Sequence, residues 1–526
     1  MSRVVRRAGG ADNLPGMGEP QTSWTRPSTA PRASVGEVAQ WLRRLAGPST
    51  PVLVHGDGDV QVTGLTLSSS RVEGGDLFAA LPGMSSHGAR FVADALEAGA
   101  AAVLTDPEGA VLVPDTVPAI VVEGPRRFLG ELAAELHDRP ATSMRMVAVT
   151  GTQGKTTVTQ LAEGGVSRAG VRAAVIGTVG TRVAGHDVAT SLTTPEAPDL
   201  QALFARMREE SVAVCAMEVS SHALVLGRVD GVVFDVATFL NLGRDHLDFH
   251  ADVEEYYGAK ASLFTPVRAR RALVNVDDEH GRRLAQETAL PLSTFSAEGA
   301  DADWRAVEVV CGADGSSFRI LGPDGFDLAT TVPLPGEFNV ANALAAVASC
   351  ALVGLDPRSA AEGIARGTGV PGRLERIDAG QDFTVVVDYA HKPDAVEATL
   401  RTLRPLTSGR LLVVLGAGGD RDRGKRPVMG EIAARLADVV VVTDDNPRSE
   451  DPAAIRAEVL SGTTDAAAEV MEIGDRRAAI AAALRLAGPG DVVLVAGKGH
   501  ETGQEVAGVV TPFDDRQVVR EELAAR

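Results

Sequence analysis

A buried strand that leads directly into a glycine-rich loop and then a helix constrains this chain more than any other feature. Residues 144–150 are largely apolar, and Gly-Thr-Gln-Gly-Lys-Thr-Thr follows at positions 151–157. Such a loop presents backbone N–H groups to phosphates, with Lys155 close to the β- and γ-phosphates and the Thr156 hydroxyl on Mg²⁺. Val149 stands where the general motif has its first glycine. The pattern predicts a phosphate-binding loop, and a plain glycine turn is the alternative.

Apolar strands alternate with helical stretches on both sides of this loop. After the loop, strands are predicted at residues 173–176, 212–219, 232–240 and 272–276. Alternation of this kind predicts a mostly parallel sheet with helices on both faces. A shorter mixed α/β pattern precedes the loop. A glycine-rich break at residues 367–373 opens a third unit with strands at 383–387, 411–415, 439–443 and 492–495.

The fold class predicted from this pattern is α/β with three domains. Pro, Gly, Ser, Thr and Arg dominate the first residues, and no apolar signal-peptide core is present there. The predicted divisions are a disordered leader at 1–33, a small mixed α/β domain at 34–140, a central domain at 141–368 and a C-terminal domain at 369–526.

Composition excludes several classes of function. The 526 residues carry a formal net charge of −19, which argues against nucleic acid or an anionic membrane as a general partner. No apolar run approaches the ~20 residues of a membrane span. Three scattered cysteines fit a reducing cytosol better than a disulfide framework. We therefore expect a cytoplasmic protein that binds anions only at local positive sites.

Lysine is rare in this chain and marks its chemical segments. Only five of the 51 basic residues are lysines, and each stands in or beside a motif rich in Gly, His, Asp or aromatic residues. Codon bias explains the excess of arginine but not these positions. A compact ammonium, or an amine that can lose its proton and react, is something a guanidinium cannot replace. The five positions are Lys155, Lys260, Lys392, Lys425 and Lys498.

Polar clusters follow several of the predicted strands. In the central domain these are Glu218 and residues 241–248, which include His246. Carboxyl ends of parallel strands are where α/β sheets collect ligands, and a carboxylate there suits Mg²⁺. A solvated loop carboxylate and a structural histidine are the alternatives. In the third domain charged turns follow four strands, which favours a small, multiply charged ligand over independent polar turns.

These motifs together resemble the ATP-dependent Mur ligases of peptidoglycan synthesis, from about Val52 to the C-terminus. The resemblance implies a UDP-sugar-binding domain, a central P-loop ATPase domain and a Rossmann-like C-terminal domain that binds the incoming amino acid. It implies ATP, two Mg²⁺ sites and a CO₂-derived carbamate on Lys260. The implied catalytic residues are Lys155, Glu218, His246 and Lys260, and the implied metal ligands are Thr156, Glu218, His246 and carbamylated Lys260.

The resemblance also implies the ligand-binding residues. For ATP they are Gly151, Thr152, Gln153, Gly154, Lys155, Thr156, Thr157, Asn339, Arg373 and Asp388. For a UDP-muramoyl dipeptide they are Ser68, Ser70, Met84, Ser85, Ser86, Thr193, Thr194, Ser220 and Arg228. Leu192 and Leu226 depart from the polar residues of some relatives. For the amino acid they are Arg421, Asp445, Asn446, Pro447, Arg448, Gly497 and Glu501.

The Asp-Asn-Pro-Arg turn at 445–448 resembles the family members that add diaminopimelate rather than lysine. Arg448 would hold the distal carboxylate that lysine lacks, and Glu501 would suit the distal ammonium. The expected reaction is amide ligation through an acyl phosphate, by a monomer or weak homo-oligomer. The alternatives are a lysine-adding ligase, a folylpolyglutamate synthetase and, outside enzymes, a P-loop protein that uses ATP as a switch.

Overall fold

The protein is an α/β structure built around three large sheets. The computed structural model describes residues 24–83, 86–243, 245–246, 249–464 and 467–526. The sheets have five, eleven and six strands in chain order, with two further two-stranded sheets. Mixed, parallel-rich sheets in three domains confirm the predicted fold class.

The first sheet has the order β2-β7-β6-β5-β4 and is parallel except for the edge strand β2. Its helices cover a core of Val, Leu and Ala side chains. The elements are β1 Ala33–Ser34, α1 Val35–Ala46, β2 Val52–His55, β3 Gln61–Val62, β4 Gly64–Thr66, β5 Asp76–Ala80, α2 Val92–Glu97, β6 Ala102–Thr105, α3 Pro107–Ala110, β7 Ala119–Val122 and α4 Leu129–Leu136.

The central sheet has eleven strands in the order β11-β10-β9-β12-β8-β13-β14-β15-β16-β17-β18. The elements are β8 Arg145–Thr150, α5 Lys155–Arg168, β9 Ala173–Gly177, β10 Gly180–Val183, β11 His186–Val188, α6 Ala197–Glu209, β12 Val214–Glu218, α7 Ser221–Val225, β13 Val236–Phe239, α8 Val253–Ala261, β14 Ala272–Asn275, α9 Glu279–Glu287, β15 Leu292–Ser296, β16 Trp304–Gly312, β17 Gly315–Gly322, β18 Phe326–Val332, α10 Glu337–Leu352 and α11 Pro357–Ala365.

Parallel pairing dominates the middle of this sheet. Seven neighbouring strands pair in parallel, in the sheet order β9, β12, β8, β13, β14, β15 and β16. The strands at both ends of the sheet, β10 and β11 on one side and β17 and β18 on the other, are antiparallel. Alternate residues of β8 enter different cores, with Met146 and Ala148 on one face and Val147 and Val149 on the other. A strand buried on both faces reads as a continuous apolar run, which is why the sequence identified β8 so clearly.

The third sheet has the order β19-β20-β24-β21-β22-β23, with only the edge strand β19 antiparallel. The elements are β19 Glu375–Ile377, β20 Thr384–Asp388, α12 Pro393–Leu403, β21 Leu411–Leu415, α13 Lys425–Leu436, β22 Val439–Val442, α14 Pro452–Leu460, β23 Glu469–Glu472, α15 Arg476–Leu486, β24 Val492–Ala496, β25 Gly503–Val506, β26 Val509–Pro512 and α16 Asp515–Ala524.

The prediction of a disordered leader over residues 1–33 is wrong for residues 24–33. Arg26 forms a two-pronged ion pair with buried Asp76, with N–O distances of 2.7 and 2.8 Å. Trp24 stacks on His186 at 4.2 Å between ring centroids, and Ala33 pairs with Val62. A bidentate pair and an aromatic stack are specific contacts, and the Pro- and Ser-rich composition concealed them.

The antiparallel strands β16, β17 and β18 were not predicted. Their sequences alternate polar and apolar residues, because one face packs on α10 and the other is exposed. The prediction relied on continuous apolar runs, which identify strands buried on both faces.

Across the described part of the chain, every helix is too short or too polar to cross a membrane.

Candidate active site

The phosphate loop lies at the carboxyl end of β8, between the ends of β12 and β13. Gly151 and Gly154 have φ angles of 157° and 86°, and Lys155 begins α5. A Cβ added at Gly154 would lie 2.4 Å from Asn342 Oδ1, so glycine is required by space as well as by backbone conformation. Asn241 supports the loop because its side-chain oxygen accepts from Thr152 N at 3.1 Å and Gln153 N at 2.9 Å.

Two lysines share one carbonyl of this loop. Lys155 Nζ donates to Gly151 O at 2.7 Å, and Lys260 Nζ donates to the same oxygen at 3.0 Å. Burial lowers the pKa of Lys155 to about 8, although Glu218 partly opposes this shift. Burial, reinforced by the positive charge of Lys155, lowers the pKa of Lys260 far below its usual value. Lys260 is only 1% exposed, and this burial favours the neutral form of its amine.

Glu218 ends β12 and is buried rather than solvated, so the alternative of a solvated loop carboxylate is excluded. Its two oxygens accept from Thr178 N at 2.7 Å and Thr178 Oγ1 at 3.1 Å. Thr193 Oγ1 lies 3.0 Å from Thr178 Oγ1, and Thr194 donates to the Glu218 carbonyl at 2.8 Å. The predicted dipeptide-binding threonines therefore adjoin the predicted metal carboxylate.

The same corner contains Ser220 and Arg228. Ser220 N donates to Thr194 Oγ1 at 3.3 Å, and Arg228 Nη1 donates to Thr194 O at 3.3 Å. Arg228 also pairs with Glu196 at 2.8 Å. Two segments, residues 193–194 and 220–228, thus meet in one hydrogen-bonded cluster beside Glu218.

His246 follows β13 and has a left-handed backbone, with φ of 53°. Its Nε2 lies 3.1 Å from Asp245 Oδ2. Burial lowers the pKa of His246 to about 4, although Asp245 opposes the shift. The pKa of Asp245 is itself held down to about 2, because Lys392 and His246 outweigh the opposing effect of burial. A neutral imidazole is the form that binds metal ions.

The third domain reaches the phosphate loop through Arg373. Arg373 Nη2 donates to Thr156 Oγ1 at 3.1 Å, and its guanidinium stacks 4.5 Å from the Tyr389 ring centroid. Its buried Nε has no hydrogen-bond partner among the described residues. Asp388 is buried and accepts from the backbone of Leu374 at 2.7 Å, so it positions the residue next to Arg373.

The predicted ATP-side residue Asn339 is buried behind the loop. Its amide donates to Pro335 O at 2.8 Å, and its Oδ1 accepts from Asn342 at 3.2 Å. Since Asn342 Oδ1 faces Gly154, this pair of asparagines supports the far side of the loop. Thr157 is buried in the first turn of α5.

The predicted amino-acid site gathers at one edge of the third sheet. Lys498 is fully buried and donates to Asn446 Oδ1 at 3.0 Å and Glu501 Oε2 at 3.1 Å. Asn446 Nδ2 also donates to Glu501 Oε2, at 2.9 Å. Asp445 is buried, and a Cβ added at Gly497 would lie 2.5 Å from Asp445 Oδ2. Lys498, to which the sequence assigned no contact, thus holds this cluster together.

Arg448 lies at the exposed side of the same cluster, one residue after Pro447. Its Nη1 donates to Gly419 O at 2.7 Å, and its Nε lies 3.6 Å from Glu505 Oε2. Arg421 is exposed in the adjacent turn. Both arginines can therefore reach a ligand in solution.

The predicted UDP-binding residues lie in the first domain. Ser68 Oγ and Ser70 Oγ are 2.9 Å apart, and Ser86 O accepts from Gly83 N at 3.1 Å. Met84 and Ser85 lie outside the described residues.

Asn241, Asp245 and Tyr256 take part in the site although the sequence analysis assigned them no role. Tyr256 OH lies 3.1 Å from Thr152 Oγ1, and its ring centroid lies 4.6 Å from Lys260 Nζ. The aromatic start of α8 was the only signal for it. Across the described ranges, no three His, Cys, Asp or Glu side chains form a group that could hold a metal ion by themselves.

Three family models match this chain. They are the Mur ligase middle domain over residues 149–350, the Mur ligase glutamate ligase domain over 372–499 and the Mur ligase family catalytic domain over 61–137. Together they cover most of the three sheets, the phosphate loop and most of the third-domain turns.

Similar proteins carry the name UDP-N-acetylmuramoyl-L-alanyl-D-glutamate–2,6-diaminopimelate ligase. The protein of that name from Streptomyces coelicolor is 56% identical, covering 89% of this chain and 93% of its own length. That of Streptomyces avermitilis is 53% identical, covering 95% and 98%. A solved structure of that name is 34% identical with a TM-score of 0.64, covering 94% of this chain and 99% of that one.

Proposed function

Because the chain belongs to the Mur ligase family, we propose that it joins meso-2,6-diaminopimelate to UDP-N-acetylmuramoyl-L-alanyl-D-glutamate at the expense of ATP. The observation that carries this proposal is the contact of third-domain Arg373 with Thr156 of the phosphate loop. A ligase must bring a nucleotide and an incoming amine together, and this contact joins the domain proposed for each. A lysine-adding ligase is disfavoured by Arg448, because lysine lacks the distal carboxylate that this arginine would bind.

The proposed reaction transfers the γ-phosphoryl group of ATP to the γ-carboxylate of the D-Glu residue. The amine of diaminopimelate then attacks the acyl phosphate, the amide forms and phosphate leaves. Lys155 and Arg373 would neutralise charge on the transferring group, and the loop N–H groups would hold the phosphates. The unpartnered Nε of Arg373 supports a further anionic ligand at this point.

The residues present fit the metal ions and the carbamate that the family implies. Thr156, Glu218, His246 and a carbamate on Lys260 would hold Mg²⁺, which supplies positive charge to phosphate oxygens. Lys260 suits carbamate formation because only a neutral amine reacts with CO₂, and burial beside Lys155 favours that form. The nearby ammonium of Lys155 would then balance the negative carbamate.

The third-domain cluster supports recognition of a zwitterion with a distal carboxylate. Arg448 can form a bidentate pair with that carboxylate. Glu501 is already paired with Lys498, so its remaining oxygen is the one proposed for the distal ammonium. We further propose a cytoplasmic monomer or weak homo-oligomer with domains at 34–140, 141–368 and 369–526.

Phosphate release tests the function. The purified chain is assayed with ATP, Mg²⁺ and UDP-muramoyl dipeptide, against a panel that includes diaminopimelate, lysine and glutamate. Release that requires both the dipeptide and diaminopimelate is expected. Phosphate release with the dipeptide and lysine, but not with the dipeptide and diaminopimelate, would indicate a lysine-adding ligase. Phosphate release that does not depend on the dipeptide would indicate an ATP switch.

A further inference from the structure

Lys392 occupies a position that local structure disfavours. It is the N-cap of α12 and makes no side-chain capping hydrogen bond. Ser, Thr, Asp and Asn are the preferred N-caps, and a positive charge at a helix N-terminus opposes the helix dipole. A lysine at this point therefore indicates a role other than helix stability.

The contact that Lys392 makes crosses between two domains. Its Nζ forms an ion pair with Asp245 Oδ2 of the central domain, and the two side chains are 22% and 12% exposed. The same Asp245 oxygen lies 3.1 Å from His246 Nε2. The ammonium of Lys392 therefore contacts Asp245, which in turn contacts the predicted metal-binding histidine, His246.

We propose that Lys392 is a positioning residue, whose ion pair with Asp245 couples docking of the third domain to the loop that carries His246. This inference rests on the proposed ligase function. Arg373 holds the phosphate loop, and Lys392 holds the neighbouring loop from the same side. The third domain would then dock fully only when the phosphate loop meets Arg373 and the loop of His246 meets Lys392. Full docking would place the amino-acid site over the nucleotide.

A second ion pair between these domains provides a matched control. Arg376 of β19 pairs with Asp314 in the turn between β16 and β17. These side chains are 40% and 85% exposed, and they belong to elements other than the phosphate loop and the loop that carries His246. Exposed pairs contribute little to stability, so Arg376→Met removes an interdomain pair without affecting the site.

The experiment compares Lys392→Ser, Lys392→Arg and Arg376→Met with the unmodified protein. Serine is the better N-cap, so loss of helix stability cannot explain a defect in Lys392→Ser. Steady-state constants are measured for each substrate, and small-angle X-ray scattering gives the radius of gyration. Because both binding sites stay intact, Lys392→Ser should lower kcat by about tenfold, with each KM within about twofold. Its radius of gyration should increase.

Lys392→Arg should recover most of kcat, since it restores the charge, and Arg376→Met should match the unmodified protein. The inference is overturned if Lys392→Ser keeps its kcat, if Lys392→Arg fails to recover it, or if Arg376→Met shows the same loss. Absence of ligation by the unmodified protein would instead refute the proposed function. The scattering measurement would still test the docking role, because it needs no turnover.

Discussion

Replacing Arg448 should change which amino acid the protein prefers more than it changes turnover. Arg448→Met keeps much of the aliphatic stem and removes the guanidinium. Leaving a desolvated charged partner unpaired costs about 2–5 kcal/mol. The Arg448 side chain is 27% exposed and has Glu505 at 3.6 Å, so the lower end applies. A loss of about 2 kcal/mol corresponds to about 30-fold in the preference for diaminopimelate over lysine, at ~1.4 kcal/mol per decade.

Glu505→Gln should move the same preference in the opposite direction. Lysine offers Arg448 no distal carboxylate, so with lysine bound the positive charge of Arg448 is balanced by Glu505, 3.6 Å away. Glu505→Gln removes that balancing charge and therefore weakens the complex with lysine. With diaminopimelate bound, the distal carboxylate no longer competes with Glu505. Because this pair is partly exposed, the preference should rise only about threefold.

The assay is phosphate release at saturating ATP and UDP-muramoyl dipeptide, with kcat/KM measured for each amino acid. The ratio of the two constants cancels general damage to the enzyme. An equal fall for both amino acids in Arg448→Met would refute the assignment of Arg448 to the distal carboxylate. A lower ratio in Glu505→Gln would refute its role as a competing anion.

Three further predictions concern buried ionisable groups. Lys260→Ala should abolish ligation, with partial recovery in added acetate or bicarbonate; unchanged activity would remove the carbamate from the scheme. Asp515→Ala should destabilise the third domain by about 3 kcal/mol in urea unfolding, because buried Arg476 loses the carboxylate that it pairs with at 2.7 and 2.8 Å; a shift below about 1 kcal/mol would contradict this. Burial, with Arg26 and Arg208, lowers the pKa of His137 to about 4, below its usual ~6.5. The unfolded chain therefore takes up a proton first, so stability present above pH ~6.5 is lost as the pH falls towards 4. The urea midpoint should fall less between pH 7 and pH 5 in His137→Gln, and equal falls would contradict the assignment.

The five lysines show how far a pattern leads towards a site. Their rarity predicts which segments carry chemistry, the loop motif predicts the role of Lys155, and the family resemblance implies that of Lys260. Their shared acceptor, Gly151 O, depends on α5 and α8 meeting at one loop, and no spacing encodes that meeting. The contacts of Lys392 and Lys498 likewise join residues far apart in the chain or in separate loops.

The sequence by itself determined the α/β class, the phosphate loop and the strands buried on both faces, because continuous apolar runs and glycine at required turns are local signals. It did not reveal the exposed strands β16 to β18 or the ordered residues 24–33, whose stability comes from distant partners. Only the tertiary structure decided the burial that lowers the pKa of Lys260, the support of Glu218 by Thr178 and the pairing of Lys392 with Asp245. Each of these depends on burial and on charges brought together from separate elements, and Coulomb interactions act through space rather than along the chain.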